Sequence, residues 1–319
     1  MFATLLKQIG TLIISLLGLT VLTFILSLQS DTPVHTYQSN SVFIQYFEYL
    51  QFLLDGNWGT SSIHKRSVLK DFLQHFPATI ELILLAMVLA VTAGLGLGIV
   101  ASTRRGGWLD NTLMTSSLIG YSMPIFWWGM LLVLLFSLTL GWTPVAGRID
   151  FAYDIEPYTR FMLIDTLLHH NQYGFSAFLN ALHHLVLPAI TLSTIPMAIV
   201  ARMTRSSLLA VLKSEYIRTA RSKGISNQRI IWVHALRNAL QPILTISGVQ
   251  ISIIMSGVII TEYIFAWPGI GKWLLEAVSR RDFASIQGGV LALSIIVIAF
   301  NLALDFISIY LNPRLRRPS

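Results

Sequence analysis

The stretch SEYIRTARSKGISNQRIIWVHALRNALQP, Ser214 to Pro242, gathers the polar and basic side chains of an otherwise oily chain. Such a run can set membrane topology, touch anionic lipid headgroups or dock another protein. Other groups could carry chemistry. Glu81 and Asp305 fall inside apolar windows, where an ionisable group is a functional candidate by default. Each lies within about two helical turns of its window's end, close enough to an interface to pair locally, so a gating or structural role is favoured over substrate binding. His169, His170, His183 and His184 form two pairs, and imidazole binds transition metals, but the spacing fits no metal motif and the chain has no cysteine, so no metal site is expected. No H-E-x-x-H or G-x-S-x-G occurs, which leaves no signature of a membrane hydrolase. The phosphate loop G-x-x-x-x-G-K-[ST] is missing too, so no nucleotide or other cofactor is expected on this chain and no catalysis of its own.

These groups must be positioned by membrane helices. Of 319 residues 54% are hydrophobic and 12% charged, with a mean hydropathy of +0.66, far above soluble compositions. Continuous apolar windows at 5–28, 78–102, 113–140, 185–208, 242–265 and 288–311 reach the ~20 residues that cross a ~30 Å hydrocarbon core. Continuity rather than alternation selects helices over a barrel, giving an all-α integral membrane protein with six transmembrane helices. The first window is too long for a signal-peptide core and is read as an uncleaved anchor. With the N-terminus inside, 14 Lys and Arg fall on the cytoplasmic side and eight outside, so both termini are expected in the cytoplasm. The net charge of +7 then reflects loop topology and membrane lipid, not nucleic acid. Two long outer loops, 29–77 and 141–184, carry FEYLQFLLDGNW and FMLIDTLL and are expected to form short helices against the bundle or interface. Pro124, Pro188 and Pro196 should interrupt the helix ladder, and Gly94, Gly96 and Gly98 should admit a close neighbour. Trp127, Trp128, Trp142, Trp267 and Trp273 suit an interfacial aromatic belt.

The basic run itself reads as two short helices. One is interrupted at Gly224, free to take φ > 0; the second restarts behind Ser226 as N-cap and stops at Pro242. This stretch resembles the cytoplasmic EAA loop of ABC-importer membrane subunits, with Arg218, Thr219 and Ala220 at the triplet, Gly224 as its glycine and Leu236 as its later leucine. Arg and Thr in the triplet, and Arg237 where many families have Pro, are the form found in the oligopeptide, dipeptide and nickel permease branch. GNWGTSS, FPATIEL, SMPIFWWGMLL, LGWTPVAGR, HLVLPAITLS, EYIFAWPGIGKWLLEAVSRRDF and NLALDFISIYLNPRLR resemble that branch in order along nearly the whole chain. The second outer loop and FAWPGIGKWL look most like the permease subunits of Sap peptide transporters.

The resemblance implies a type I ABC-importer permease fold in a bacterial inner membrane, divided into 1–77 (first helix and outer loop) and 78–319 (transporter domain with the EAA-like loop 209–241). It also implies partners: a second homologous permease subunit, two cytoplasmic ATPase subunits that bind the ATP, and a periplasmic solute-binding protein. Arg218, Thr219, Ala220, Arg221, Lys223 and Gly224 become the expected ATPase-coupling residues. Peptides, including cationic antimicrobial peptides, are the implied cargo, with putrescine export and nickel or other small-solute transport as alternatives; an ATP-independent channel would lack the ATPase dock.

Overall fold

The computed structural model describes the backbone of residues 2–28 and 41–311 and, within these, the side chains of 10, 12–28 and 41–303. The elements are α1 (Phe2–Leu28), α2 (Val42–Leu54), α3 (Val68–Thr103), α4 (Trp108–Ser122), α5 (Ile125–Leu132, continuing as π-turns through Thr139), α6 (Met162–Leu168), α7 (His170–Tyr173) and α8 (Ser176–Leu212). They continue with α9 (Glu215–Ser222), α10 (Asn227–Arg229, continuing as π-turns Ile230–Ala235), α11 (Leu236–Ile264), α12 (Ile270–Ser279) and α13 (Phe283–Leu311). Among the described residues, α3, α8, the run from α10 through α11 and the 283–303 part of α13 are each long and apolar enough to cross a bilayer. The α4–α5 pair makes a fifth crossing if its two limbs count as one, and α1 contributes an apolar stretch from Leu12 to Leu28.

The six expected windows therefore correspond to real helices, with three corrections. The third is no straight span: α4 and α5 meet at an elbow of 110°, because Pro124 has no N–H to give and Met123 before it is extended (φ −80°, ψ 132°). The fourth stays unbroken through Pro188 and Pro196, and the fifth does not begin after Pro242 but runs through it from Asn227. A proline deletes one ladder bond, whereas ending the helix in hydrocarbon would strand several backbone groups, so continuing is the cheaper solution. Both long loops do carry short helices, α2 in one and α6 and α7 in the other.

In lipid the helices gain little from hiding apolar surface from one another, and close packing must hold them. The centre is α8: 72% of its most apolar stretch is buried, against 28–39% for the other three spans. Its main partner is α3, and the glycines make the contact. A Cβ added to Gly94 would lie 2.8 Å from the Val200 Cβ, and one on Gly98 2.5 Å from the Thr204 Cβ, whereas one on Gly96 would meet nothing. Only the i, i+4 pair faces α8, as helical geometry demands. Nearer the α12 end, Ala78, Leu82 and Ala86 of α3 pack with Leu185, Ala189 and Leu192 of α8 and Ile254 and Val258 of α11. Helix α1 is held from outside by polar contacts: Tyr49 of α2 donates to Thr23 Oγ1 at 2.8 Å, and Gln287 of α13 donates to the Thr23 carbonyl.

Gly98→Val should push α3 from α8 and cost on the order of 1–3 kcal/mol, while Gly96→Val should be silent. Thermal aggregation of the detergent-solubilised protein separates the two; equal midpoints would refute this account of the contact.

Candidate functional site

Helix α9 is short, and its burial pattern explains why it forms. Ile217 and Ala220, three apart on one face, are buried against Ile230, Val211, Leu212 and Ile225. Glu215 sits in the first turn and Arg221 in the last, each matching the helix dipole. Gly224 ends the helix at φ +76°: the Lys223 N–H reaches the Thr219 carbonyl at 3.1 Å and the Ile225 N–H reaches back to Ala220 at 3.3 Å. A left-handed residue is what lets the chain turn so that Ile225 folds under its own helix. Ser226 stands at the N-cap position of α10 in extended conformation, although its side chain makes no capping bond. The limbs are tied again where Asn238 Nδ2 donates to the Tyr216 hydroxyl at 2.8 Å.

The expected coupling residues thus divide. Arg218, Thr219, Arg221, Lys223 and Gly224 are exposed on one surface, whereas Ala220 is 9% exposed and faces inward, so its methyl sets the spacing between α9 and Ile230. Arg218 is held only by the exposed Glu215 at 3.0 Å, a pair worth a few tenths of a kcal/mol. Sequence reasoning missed Trp232 and Val233, which are 60% and 52% exposed beside this basic surface. The signal was there: four consecutive apolar residues, Ile230 to Val233, cannot all face one side of a helix. The surface can bind by charge, with an apolar anchor at its edge.

At the opposite end the bundle is closed by buried carboxylates. Glu81 pairs with Arg148 at 2.5 Å and accepts the Leu163 N–H at 2.8 Å, so the segment from 148 to 163 is clamped onto α3. The Arg148 guanidinium also lies 5.4 Å from the Trp267 ring centroid. Glu262 was passed over by sequence reasoning, yet it is 0% exposed and accepts from the Thr79 hydroxyl (2.6 Å), the Gly271 N–H (2.7 Å) and the Lys272 N–H (3.1 Å). A Cβ on Gly269 would collide with that carboxylate and one on Gly271 with the Ile259 backbone, which is why PGIG follows it. An acid seven residues ahead of two closely spaced glycines was the readable signal. Asp282, between α12 and α13, accepts from Ser61 (2.5 Å), Ser285 (2.8 Å) and the Ser62 N–H (3.2 Å). Burial pushes its pKa up, but these donors outweigh burial and hold it below the ordinary carboxylate range.

Asp305 lies on the α13 backbone, but its side chain is outside the described residues. The histidine pairs are dispersed: His183 and His184 ride on α8, bonding the Trp142 and Asn180 carbonyls, while His169 bonds the Asp165 carbonyl. Among the described residues no three His, Cys, Asp or Glu side chains come together as metal ligands would.

Residues 94–317 match the family described as binding-protein-dependent transport system inner membrane component. The di/tripeptide transport system permease protein DppB of Pseudomonas aeruginosa is 47% identical, covering 97% of each chain. The dipeptide transport system permease protein DppB of Escherichia coli K12 is 45% identical over 85% of this chain and 80% of its own. The putrescine export system permease protein SapB of the same strain is 37% identical, covering 97% of this chain and 95% of its own. The ordering corrects the expected leaning toward the Sap type: the loops that suggested it are weak markers beside identity along the whole chain.

Two outcomes follow from the geometry. Gly224→Ala should cost about 1 kcal/mol and Gly224→Asn less, because a Cβ there is penalised by φ and not by any neighbour; faster tryptic cleavage near Arg221 in the alanine variant alone would register it. Asp282, with its folded pKa depressed, contributes stability that is present above its unfolded value and lost as pH falls through the folded one. Asp282→Asn should therefore flatten the acid limb of a plot of melting temperature against pH below the ordinary aspartate pKa of about 4, and an unchanged slope would show the carboxylate to be irrelevant.

Proposed function

This chain belongs to the family of binding-protein-dependent transport system inner membrane components, and from that premise we propose that it is the permease subunit through which di- and tripeptides enter the cell. It is a multi-pass permease of an ABC transporter and not itself catalytic; ATP is handled by partner subunits. The observation that carries the peptide reading is that the relatives at 47% and 45% identity are named for di/tripeptide and dipeptide transport, whereas the relative named for putrescine export stands at 37%, level with a more distant dipeptide permease.

In this reading a periplasmic binding protein delivers peptide to the end of the bundle carrying α2, α6 and α12. A homologous permease completes the path, and two ATPases dock on the opposite, cytoplasmic end. Both termini lie with the ATPases, on the side where Lys and Arg are denser. Arg218, Thr219, Arg221 and Lys223 face the ATPase with Trp232 as the apolar anchor, while Ala220 and Gly224 shape the helix that presents them. Because Ile217 and Ala220 pack on Ile230, Val211 and Leu212, a push on α9 reaches α8 and α11 together. Closure of the ATPase pair then moves both spans as one lever, giving alternating access. Glu81, clamped to Arg148, ties the outer segment to α3, a gating or structural part rather than a contact to cargo.

The reading is tested by reconstituting the chain with its partner permease, ATPases and binding protein in vesicles. ATP-dependent accumulation of labelled dipeptide should fall at least ten-fold in Arg221→Glu/Trp232→Ser and in Gly224→Asp, with ATP hydrolysis no longer stimulated by loaded binding protein. Putrescine movement without peptide flux would transfer the same machine to polyamines. Full activity in both variants would remove the helix pair from coupling.

A further inference from the structure

The elbow between α4 and α5 differs from the turns that a carboxylate secures. At three of those a buried acidic side chain takes up backbone N–H groups: Asp110 that of Gly106, Asp165 those of Thr159 and Arg160, Glu262 those of Gly271 and Lys272. At the elbow the last carbonyls of α4 and the N–H groups of Ile125, Phe126 and Trp127 in the first turn of α5 find no partner beyond their own helices among the described residues. Beside these open groups lies a cavity of about 620 Å³ lined by Leu118, Ile119, Ser122, Met123, Pro124 and Trp127. On the same helix the Tyr121 ring lies under the Arg202 guanidinium, 5.2 Å from centroid to Cζ. Arg202 stands within the α8 span and has no carboxylate partner among the described residues, unlike Arg205 one turn away, which Asp110 binds through two nitrogens at 2.6 and 2.7 Å.

Open backbone within a membrane span is tolerated where it faces protein or a watery path. The occupant must supply donors and acceptors together with an apolar group. A lipid chain offers no hydrogen bonds, and a helix of a partner permease has already used its backbone. An extended peptide has free N–H and C=O groups, side chains and, at physiological pH, a terminal carboxylate complementary to an unpaired guanidinium. We propose that the elbow is a holding site for a di- or tripeptide in transit, its backbone against residues 119–127, one apolar side chain in the Leu118–Trp127 cavity and its C-terminal carboxylate turned to Arg202. The proposal rests on the peptide-transport reading and adds where the cargo pauses.

The test places the photoreactive residue p-benzoylphenylalanine at Leu118 in the complete reconstituted transporter and supplies radiolabelled Ala-Leu with binding protein and ATP. A peptide adduct on this chain is expected. Unlabelled Ala-Leu should abolish it, whereas its C-terminal amide should compete on the order of ten-fold less well, a difference that Arg202→Gln erases. Adducts with lipid or partner permease alone, or equal competition by acid and amide in the unaltered Arg202 background, would overturn the proposal. Uptake by the unsubstituted transporter is measured alongside. If uptake is peptide-dependent and the adduct missing, the elbow assignment falls alone; if no peptide accumulates at all, the transport reading falls first and this one with it.

Discussion

A bilayer offers no water to a backbone group that leaves its helix, and this chain is organised around that constraint. Its long helices satisfy themselves, running through Pro77, Pro188, Pro196 and Pro242 rather than stopping. At four of its turns an acidic side chain is buried to receive stranded N–H groups. Glu262 does this for the first turn of α12, Asp165 for the approach to α6, Asp110 for the bend between α3 and α4, and Asp282 for the first turn of α13. Most of these carboxylates are therefore fixtures of the fold rather than contacts to cargo.

The same constraint shapes how motion could pass through the molecule. α8 is the best-buried span and meets α3 through Gly94 and Gly98, where the Val200 and Thr204 side chains of α8 lie directly on the α3 backbone. Its far end carries Val211 and Leu212, which pack on the face of α9 that also touches Ile230 at the start of the fifth span. Force at α9 thus enters a tightly packed pair, which transmits displacement because close-packed surfaces have little slack. The elbow is the opposite case, with open backbone and space beside it, as a segment that alternately holds and releases a ligand requires.

Much of this was legible in the residues. Composition and continuous apolar runs determined an all-helical membrane protein, because no other element satisfies its backbone there. The polar run with Gly224 determined a bent helix pair, since glycine is the residue that ends a helix in the left-handed region. The order of short motifs determined the family. What local pattern could not decide was which side chains meet across distance. That Ala220 faces inward while Trp232 faces out, that Gly96 is idle between two glycines in contact, and that Glu262 binds Thr79, 183 positions away, depend on how the helices rotate and dock. Pro124 makes an elbow while Pro242 does not, though both are prolines in apolar runs. A proline deletes one bond wherever it stands, and only the surrounding packing determines whether the rest of the ladder holds.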